Sequence, residues 1–121
     1  MDNGKDDVYY LKRIITDLEF IIKNTADLTR AELEANEILT DSVMFRLIQV
    51  SENSDKLSES LKCAHSDISW RAMKGMRNRI VHVYGSVDLT VIYDTISEDI
   101  PDLLRRLEHI IGELTEEPEK Q

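Results

Sequence analysis

The chain is poor in the residues that cross-link a fold or interrupt helices. Its 121 residues include four glycines, two prolines and one cysteine. A lone Cys63 excludes an intrachain disulfide and the zinc sites that use four cysteine ligands. Such sparing use of cysteine fits a reducing cytoplasm, and we expect Cys63 to be a small, buried apolar residue.

Long hydrophobic runs are absent as well. No apolar stretch approaches the roughly 20 residues of a membrane-spanning helix. Residues 1–7 are acidic and have no apolar segment behind a basic start, unlike a secretory signal. His, Cys and Asp do not recur with the spacing of a zinc site. We therefore expect a cytoplasmic protein with no membrane segment, no metal and no cofactor.

Charge of one sign is missing from a single stretch. The net charge is −9, which opposes broad, non-specific binding to phosphate backbones. Residues 68–87 nevertheless contain no Asp or Glu. The basic residues of this stretch, which we call the basic stripe, are Arg71, Lys74, Arg77 and Arg79. We expect them to bind phosphate groups locally on an otherwise acidic protein.

What the sequence has in abundance is helical periodicity. Apolar residues at alternating steps of three and four predict a helix over residues 6–24, and a second over 42–61 with Asp41 or Ser42 as N-cap. Residues 25–36 form a short helix or a lead-in to the second. A third helix is expected to start after Ser66 or Asp67 and to run toward His82, with a stop at Gly85.

The last apolar register runs from residue 89 to 114 and contains Pro101. Proline removes a helix hydrogen bond, so this run is either two helices joined near Asp99 or one kinked helix. Together these segments predict an all-α, up-and-down bundle of four to five helices. We expect one domain over residues 1–121, with an acidic C-terminal tail frayed from about residue 116.

The segment 77–84 is where groups able to cleave RNA converge. Cleavage without a metal needs a base for the 2′-hydroxyl, an acid for the leaving oxygen and a cation for the phosphorane. An imidazole, with an ordinary pKa of about 6.5, both accepts and donates protons near neutrality, and a guanidinium binds phosphate oxygens with two hydrogen bonds. We therefore predict that His82 and Arg77 are catalytic. The remaining basic-stripe residues are predicted to bind RNA phosphates. Asn78 is predicted to do the same or to orient the imidazole, and Tyr84 could stack on a base or bond a phosphate.

The spacing of the two predicted catalytic residues is a geometric problem. Five residues along a straight helix turn by about 140°, so Arg77 and His82 would not face the same point. Either the helix loosens before His82, or a two-fold homodimer brings the groups of two copies into one cleft.

The pattern Arg77-Asn78, His82 and Tyr84, with its flanks over residues 71–84 and Val91-Ile92-Tyr93, resembles the HEPN superfamily (higher eukaryotes and prokaryotes nucleotide-binding). Within that superfamily it is similar to the HepT-like toxins. The resemblance implies an all-α homodimer that acts as a metal-independent ribonuclease toxin. It also implies a minimal nucleotidyltransferase as antitoxin, which inactivates the toxin by adding AMP to Tyr84.

Two other interpretations fit the same residues. The chain could be a non-catalytic nucleotide-binding or adaptor module that partners a nucleotidyltransferase. Alternatively, it could be a purely structural bundle, in which His82 is a histidine favoured by the helix C-terminus and Arg77 is a solvated surface residue.

Overall fold

The computed structural model of the protein describes residues 4–84 and 89–115, with side chains for 6–82 and 89–115. Within those ranges every regular element is helical, which confirms the all-α prediction. The elements are α1 (Gly4–Thr25), α2 (Arg30–Ala35), α3 (Glu37–Asp55), α4 (Glu59–Ala64), α5 (Trp70–Tyr84), α6 (Thr90–Asp94), a π-helical turn (Thr95–Asp99) and α7 (Ile100–Thr115).

Four long helical units form the bundle: α1, α3, α5 and the continuous run from α6 through α7. Helix α1 packs against α3 and α7, and α3 also packs against α5. The core consists of the apolar stripes of these units, for example Leu18, Leu47, Met76 and Leu107. No helix in the described part of the chain is both long enough and apolar enough to span a membrane.

The second long helix lies earlier in the sequence than we predicted. Helix α3 begins after Asn36, whose side chain accepts a hydrogen bond from the backbone N–H of Leu39 at 3.0 Å. The helix ends at Asp55, so the predicted caps at Asp41 and Ser42 are wrong. The predicted helix extended to residue 61 because Leu61 fits the apolar spacing. In the structure Leu61 is buried too, but it belongs to α4, a separate short helix capped by Ser58.

Helix α5 begins at Trp70, later than the predicted start after Ser66 or Asp67. Here the side chain of Ser69 accepts a hydrogen bond from the Ala72 N–H at 3.4 Å. The Trp70 indole holds the preceding turn by donating to the carbonyls of Lys62 and His65, at 3.2 and 3.0 Å. At its other end α5 continues to Tyr84, and the predicted stop at Gly85 lies outside the described residues.

The run from Thr90 to Thr115 stays helical through Pro101. The change of register occurs just before the proline, in the π-helical turn, where the N–H of Ile100 donates to the carbonyl of Thr95. A π turn holds an additional residue, which lets the helix pass a ring that cannot donate a hydrogen bond. The predicted frayed tail from residue 116 lies outside the described residues.

Residues 25–36 contain the short helix rather than a simple lead-in. Thr29 and Glu32 form a capping box at the start of α2, with each side chain accepting from the other residue's backbone N–H, at 3.1 and 2.9 Å. Cys63 differs from the prediction, because it is exposed on α4 rather than buried.

Candidate active site

Helix α5 buries one face and exposes the residues of interest. Met73, Met76 and Ile80 are each at most 5% exposed and belong to the core. All six predicted catalytic and phosphate-binding residues therefore point away from the core and are exposed: Arg71, Lys74, Arg77, Asn78, Arg79 and His82.

An open groove of about 540 Å³ lies between α3 and α5. We call it the α3–α5 groove. Its lining residues are Ser51, Glu52 and Asp55 from α3 and Arg71, Lys74, Gly75, Arg77 and Asn78 from α5. The structure thus brings together three residues of the basic stripe and Asn78 in one groove. That they bind phosphate groups stays a prediction.

Two ion pairs cross this groove. The Arg77 Nε lies 3.3 Å from Glu52 Oε2, and the Lys74 Nζ lies 3.6 Å from Asp55 Oδ1. Three residues forward on α5 correspond to three residues backward on α3, so the two helices are antiparallel. The Arg77 and Glu52 side chains are 57% and 49% exposed, and such solvated pairs contribute only about 0–1 kcal/mol each. An RNA phosphate could therefore displace these carboxylates.

These carboxylates were not among the residues predicted for the site. Residues 68–87 contain no Asp or Glu, but the acidic residues that face them belong to another helix, α3. The available signal was the matched spacing of three residues, Glu52 to Asp55 on one helix and Lys74 to Arg77 on the other.

The floor of the groove is fixed by a hydrogen bond between the two helices. The buried Ser51 hydroxyl donates to the Lys74 carbonyl at 3.1 Å. Gly75 follows directly, and a Cβ built on it would have no neighbouring atom within 4 Å. The groove is therefore open above Gly75.

Arg79 lies on another side of α5. It lines a pocket of about 320 Å³ with residues of the π-helical turn and α7, including Glu98, Asp99 and Asp102. There the hydrogen bond from Arg106 holds the pKa of Asp102 below its ordinary value, and the same contact raises the pKa of Arg106. Arg79 thus faces acidic surroundings and is separated from the other basic-stripe residues.

His82 is exposed and is not among the residues that line the α3–α5 groove. Its imidazole has no hydrogen-bond or ion-pair partner among the described residues. Because α5 remains helical through both Arg77 and His82, the alternative in which the helix loosens before His82 is wrong. The two side chains leave α5 about 140° apart, so a single copy does not bring them to one point.

Tyr84 is the last residue of α5. Its backbone is helical, and its side chain lies outside the described residues. Two helical turns separate it from Arg77 along α5, and it follows His82 by two residues.

Comparison with known proteins shows which family the chain resembles. The family described as ribonuclease HepT-like matches residues 14–110. No solved structure matches the chain.

Curated relatives cover most of the chain. A protein of Thermococcus cleftensis named "Probable ribonuclease HepT" is 30% identical, over 84% of this chain and 92% of its own length. A candidate RNase of Caldanaerobacter subterraneus subsp. tengcongensis is 26% identical, over 84% of this chain and 91% of its own length. A candidate RNase of Methanocaldococcus jannaschii is 24% identical, over 95% of both chains.

Proposed function

Because this chain belongs to the ribonuclease HepT-like family, we propose that it is a toxin that cleaves RNA with His82 and Arg77. The observation that carries the proposal is that the family match includes all of α5, on which both side chains are exposed and Arg77 lines a basic groove. Arg71, Lys74 and Asn78 line that groove and would hold RNA phosphates. Arg79 does not line this groove and would bind an RNA phosphate only on the other side of α5.

The proposed reaction needs no metal ion. His82 takes the proton of the RNA 2′-hydroxyl, and the 2′-oxygen attacks the adjacent phosphorus. The guanidinium of Arg77 stabilises the extra negative charge of the phosphorane. The bond to the 5′-oxygen then breaks, and a second imidazole, the partner's His82, protonates the leaving oxygen. The products are a 2′,3′-cyclic phosphate and a 5′-hydroxyl.

A two-fold homodimer is part of this proposal. One copy presents Arg77 and His82 about 140° apart on α5, whereas an isologous contact along α5 places the two groups of different copies across one cleft. Such a cleft would also double the local basic charge. That gain matters because the whole chain carries a net charge of −9.

The test is RNA cleavage in the presence of EDTA by the wild type and by His82→Ala. We expect cleavage to persist in EDTA, to leave 2′,3′-cyclic phosphate ends and to fall about 100-fold or more in the variant, as is typical for loss of a general acid or base. His109→Ala is the matched control, because His109 is exposed on α7 and pairs with Glu113 at 3.1 Å. Metal dependence, or full activity of His82→Ala, would refute the mechanism.

The same experiment separates the alternative function. A chain that binds ATP or a nucleotidyltransferase but cleaves none of the RNAs offered would be the non-catalytic module. A chain that does neither, and in which replacement of Arg77 changes only stability, would be a structural bundle.

We also propose that a minimal nucleotidyltransferase antitoxin inactivates the protein by adding AMP to Tyr84. The basis is the resemblance of the motif, together with the position of Tyr84 two residues after His82. A phosphate-linked nucleotide there would add negative charge beside the catalytic cations and block access to them.

Tyr84→Phe should retain RNA cleavage and resist inactivation by the nucleotidyltransferase. Cleavage after incubation with the enzyme and ATP, and the mass increase of one AMP, measure the two effects. Tyr93→Phe serves as the control and should still be modified. Loss of cleavage in Tyr84→Phe would instead give the phenol a direct role in the cleft.

A further inference from the structure

A second basic groove lies on the other side of α3 from the α3–α5 groove. It has a volume of about 360 Å³ and runs between α1 and α3. We call it the α1–α3 groove. Its lining residues are Tyr9, Lys12, Arg13, Thr16, Asp17 and Arg46. The proposed cleavage reaction uses none of them.

Arg46 forms the fixed part of this groove. Its guanidinium donates to Asp17 at 2.8 Å and lies 3.9 Å from the ring centroid of Phe20. Asp17 is 9% exposed, so its carboxylate binds Arg46 from the buried side of the groove. About a third of the arginine side chain stays accessible. The guanidinium is therefore positioned before any ligand arrives.

The groove carries positive charge that is not compensated. Asp17 is the sole carboxylate among the described residues that line it, and Arg46 already neutralises it. Lys12 and Arg13 are both exposed, and neither has a carboxylate within ion-pair distance among the described residues. A protein with a net charge of −9 thus presents two such cations side by side.

Tyr9 supplies an aromatic surface at the same place. It is 54% exposed, yet its ring is held in position by an edge contact with Tyr10 at 5.0 Å. The Arg13 guanidinium carbon lies 5.7 Å from the ring centroid, and the arginine also donates to the Tyr9 hydroxyl at 3.4 Å. An exposed ring that is already ordered is suited to stack on a nucleobase.

An exposed phenylalanine connects this groove with the catalytic end of α5. Phe45 is 59% exposed and directly precedes Arg46 on α3. Its ring lines an apolar pocket of about 370 Å³ together with Val81, the residue before His82. Exposed rings and cations therefore continue from His82 across α3 to Tyr9.

We propose that single-stranded RNA, on leaving the scissile phosphate at His82, crosses α3 over Phe45 and occupies the α1–α3 groove. There Lys12, Arg13 and Arg46 bind its phosphates, and Tyr9 stacks on a base. Alternating cations and rings are the pattern by which proteins bind single strands without reading their sequence. This inference rests on the proposed ribonuclease function and extends it to the substrate, an RNA with an unpaired segment.

A second copy of the chain fits this surface less well than RNA does. In an isologous contact through the groove, the uncompensated Lys12 and Arg13 of one copy would face the same cations of the other. A polyanion neutralises these charges instead, and release of its counterions favours binding.

The test measures binding of 2′-O-methyl RNA, which lacks the attacking hydroxyl and is not cleaved. Fluorescently labelled single strands of about 4 and about 16 nucleotides span the usual range of site sizes. We expect Lys12→Glu and Arg13→Glu to weaken binding of the long strand strongly and binding of the short strand little. The slope of log affinity against log salt should become less steep by about 0.7 for each RNA phosphate that the variant no longer neutralises.

Lys23→Glu is the matched control. Lys23 is also an exposed lysine on α1, but it lies in the last turn of the helix and outside the groove. It should leave the affinity for both strands unchanged. Tyr9→Ala should weaken binding of the long strand roughly five-fold or more, the lower end of what stacking on one ring contributes.

Equal effects of Lys12→Glu and Lys23→Glu, or no binding of the long strand by the wild type, would overturn the proposal. A change in molar mass by light scattering in Arg13→Glu or Phe45→Ala would assign this face to contacts between copies and overturn it too. Failure of the groove proposal can be distinguished from failure of the proposed ribonuclease function. A wild type that cleaves RNA while the groove variants bind it normally refutes the groove alone, whereas one that binds the long strand through the groove without cleaving refutes the nuclease.

Discussion

At the scale of single residues, the ion pair between Arg77 and Glu52 affects how strongly Arg77 can bind a phosphate group. In the free chain its guanidinium is held by Glu52 at 3.3 Å, with both groups about half exposed. An RNA phosphate must therefore compete with a carboxylate that is already in place. Glu52 lowers the positive charge available to RNA and keeps the arginine oriented toward α3.

Glu52→Gln should therefore tighten RNA binding. Removal of a solvated competitor releases about 0.2–1 kcal/mol, which corresponds to a KM about 1.4- to five-fold lower, with kcat little changed. Steady-state cleavage of a labelled RNA at several salt concentrations measures both parameters.

Glu34→Gln is the matched control for this prediction, because Glu34 also forms an exposed ion pair, with Arg30 at 3.6 Å, but lies on α2. A fall in kcat at constant KM would contradict the competitor role. It would show instead that Glu52 orients Arg77 for the reaction.

The exposure of a side chain was predictable where it lies in a long helix with a clear apolar stripe. It was less predictable in short helices and in contacts between helices. The exposed positions of His82, Arg77 and Asn78 follow from the helical register of α5 and its buried methionines. Cys63 was expected to be buried but is exposed, because α4 is a separate short helix whose apolar contact is Leu61. The ion pairs of the groove could not be predicted without knowing that α3 and α5 are antiparallel neighbours.

At the scale of the elements, α5 carries the proposed catalytic residues, and its neighbours set its position. Ser51 and the two ion pairs fasten its first half to α3. Its start is held by the Trp70 indole bonded to the preceding turn. The helix is thus anchored far from His82, whose side chain has no partner among the described residues.

Replacement of two glycines by alanine tests whether the α3–α5 groove needs the open space above Gly75. Gly75 in α5 and Gly112 in α7 are both helical, and a Cβ at either position meets nothing within 4 Å. Gly75→Ala and Gly112→Ala should each stabilise the protein by up to about 1 kcal/mol, measured as a shift of the urea midpoint, since alanine restricts the unfolded chain.

Only Gly75→Ala adds a methyl group to the lining of the α3–α5 groove. If RNA approaches the backbone there, this variant should bind RNA more weakly and Gly112→Ala should not. Loss of stability in either variant would contradict the open space that the structure shows at that position.

The existence of the long helices was predictable from apolar spacing, but their ends were not. Helix α3 starts five residues before the predicted start because Asn36 outcompetes Asp41 and Ser42 as a cap. The π-helical turn had a weak signal. The apolar positions 92, 96 and 100 are separated by two consecutive steps of four, where the rest of the run alternates between three and four.

At the scale of the whole molecule, the proposed reaction depends on association of two copies, because Arg77 and His82 leave α5 on different sides. Each copy has a mass of 14.0 kDa, so light scattering should detect a particle of twice that mass. The five-residue spacing left two explanations open, a helix that loosens before His82 or a two-fold dimer, and the continuous helix excludes the first.

Mixing two inactive variants should restore activity if the copies share a cleft. Arg77→Ala dimers lack both guanidinium groups and His82→Ala dimers lack both imidazoles, whereas a mixed dimer retains one of each on opposite chains. We expect the co-expressed mixture to exceed either variant by about ten-fold or more and to stay below the wild type, since one imidazole is still missing. A mixture no more active than its components would mean that each chain forms its own site.

The π-helical turn before Pro101 also determines where the chain tolerates a change in length. A π turn contains one residue more than an α turn needs. Deletion of one residue within 95–99 therefore keeps the flanking helices in phase, provided that Pro101 is replaced at the same time by a residue that donates the helix hydrogen bond. The segment between Arg77 and His82 has no additional residue of this kind. A deletion there rotates one side chain by about 100° relative to the other. Natural variation in length is therefore expected at the end of the bundle that holds Pro101 and not between the two proposed catalytic residues.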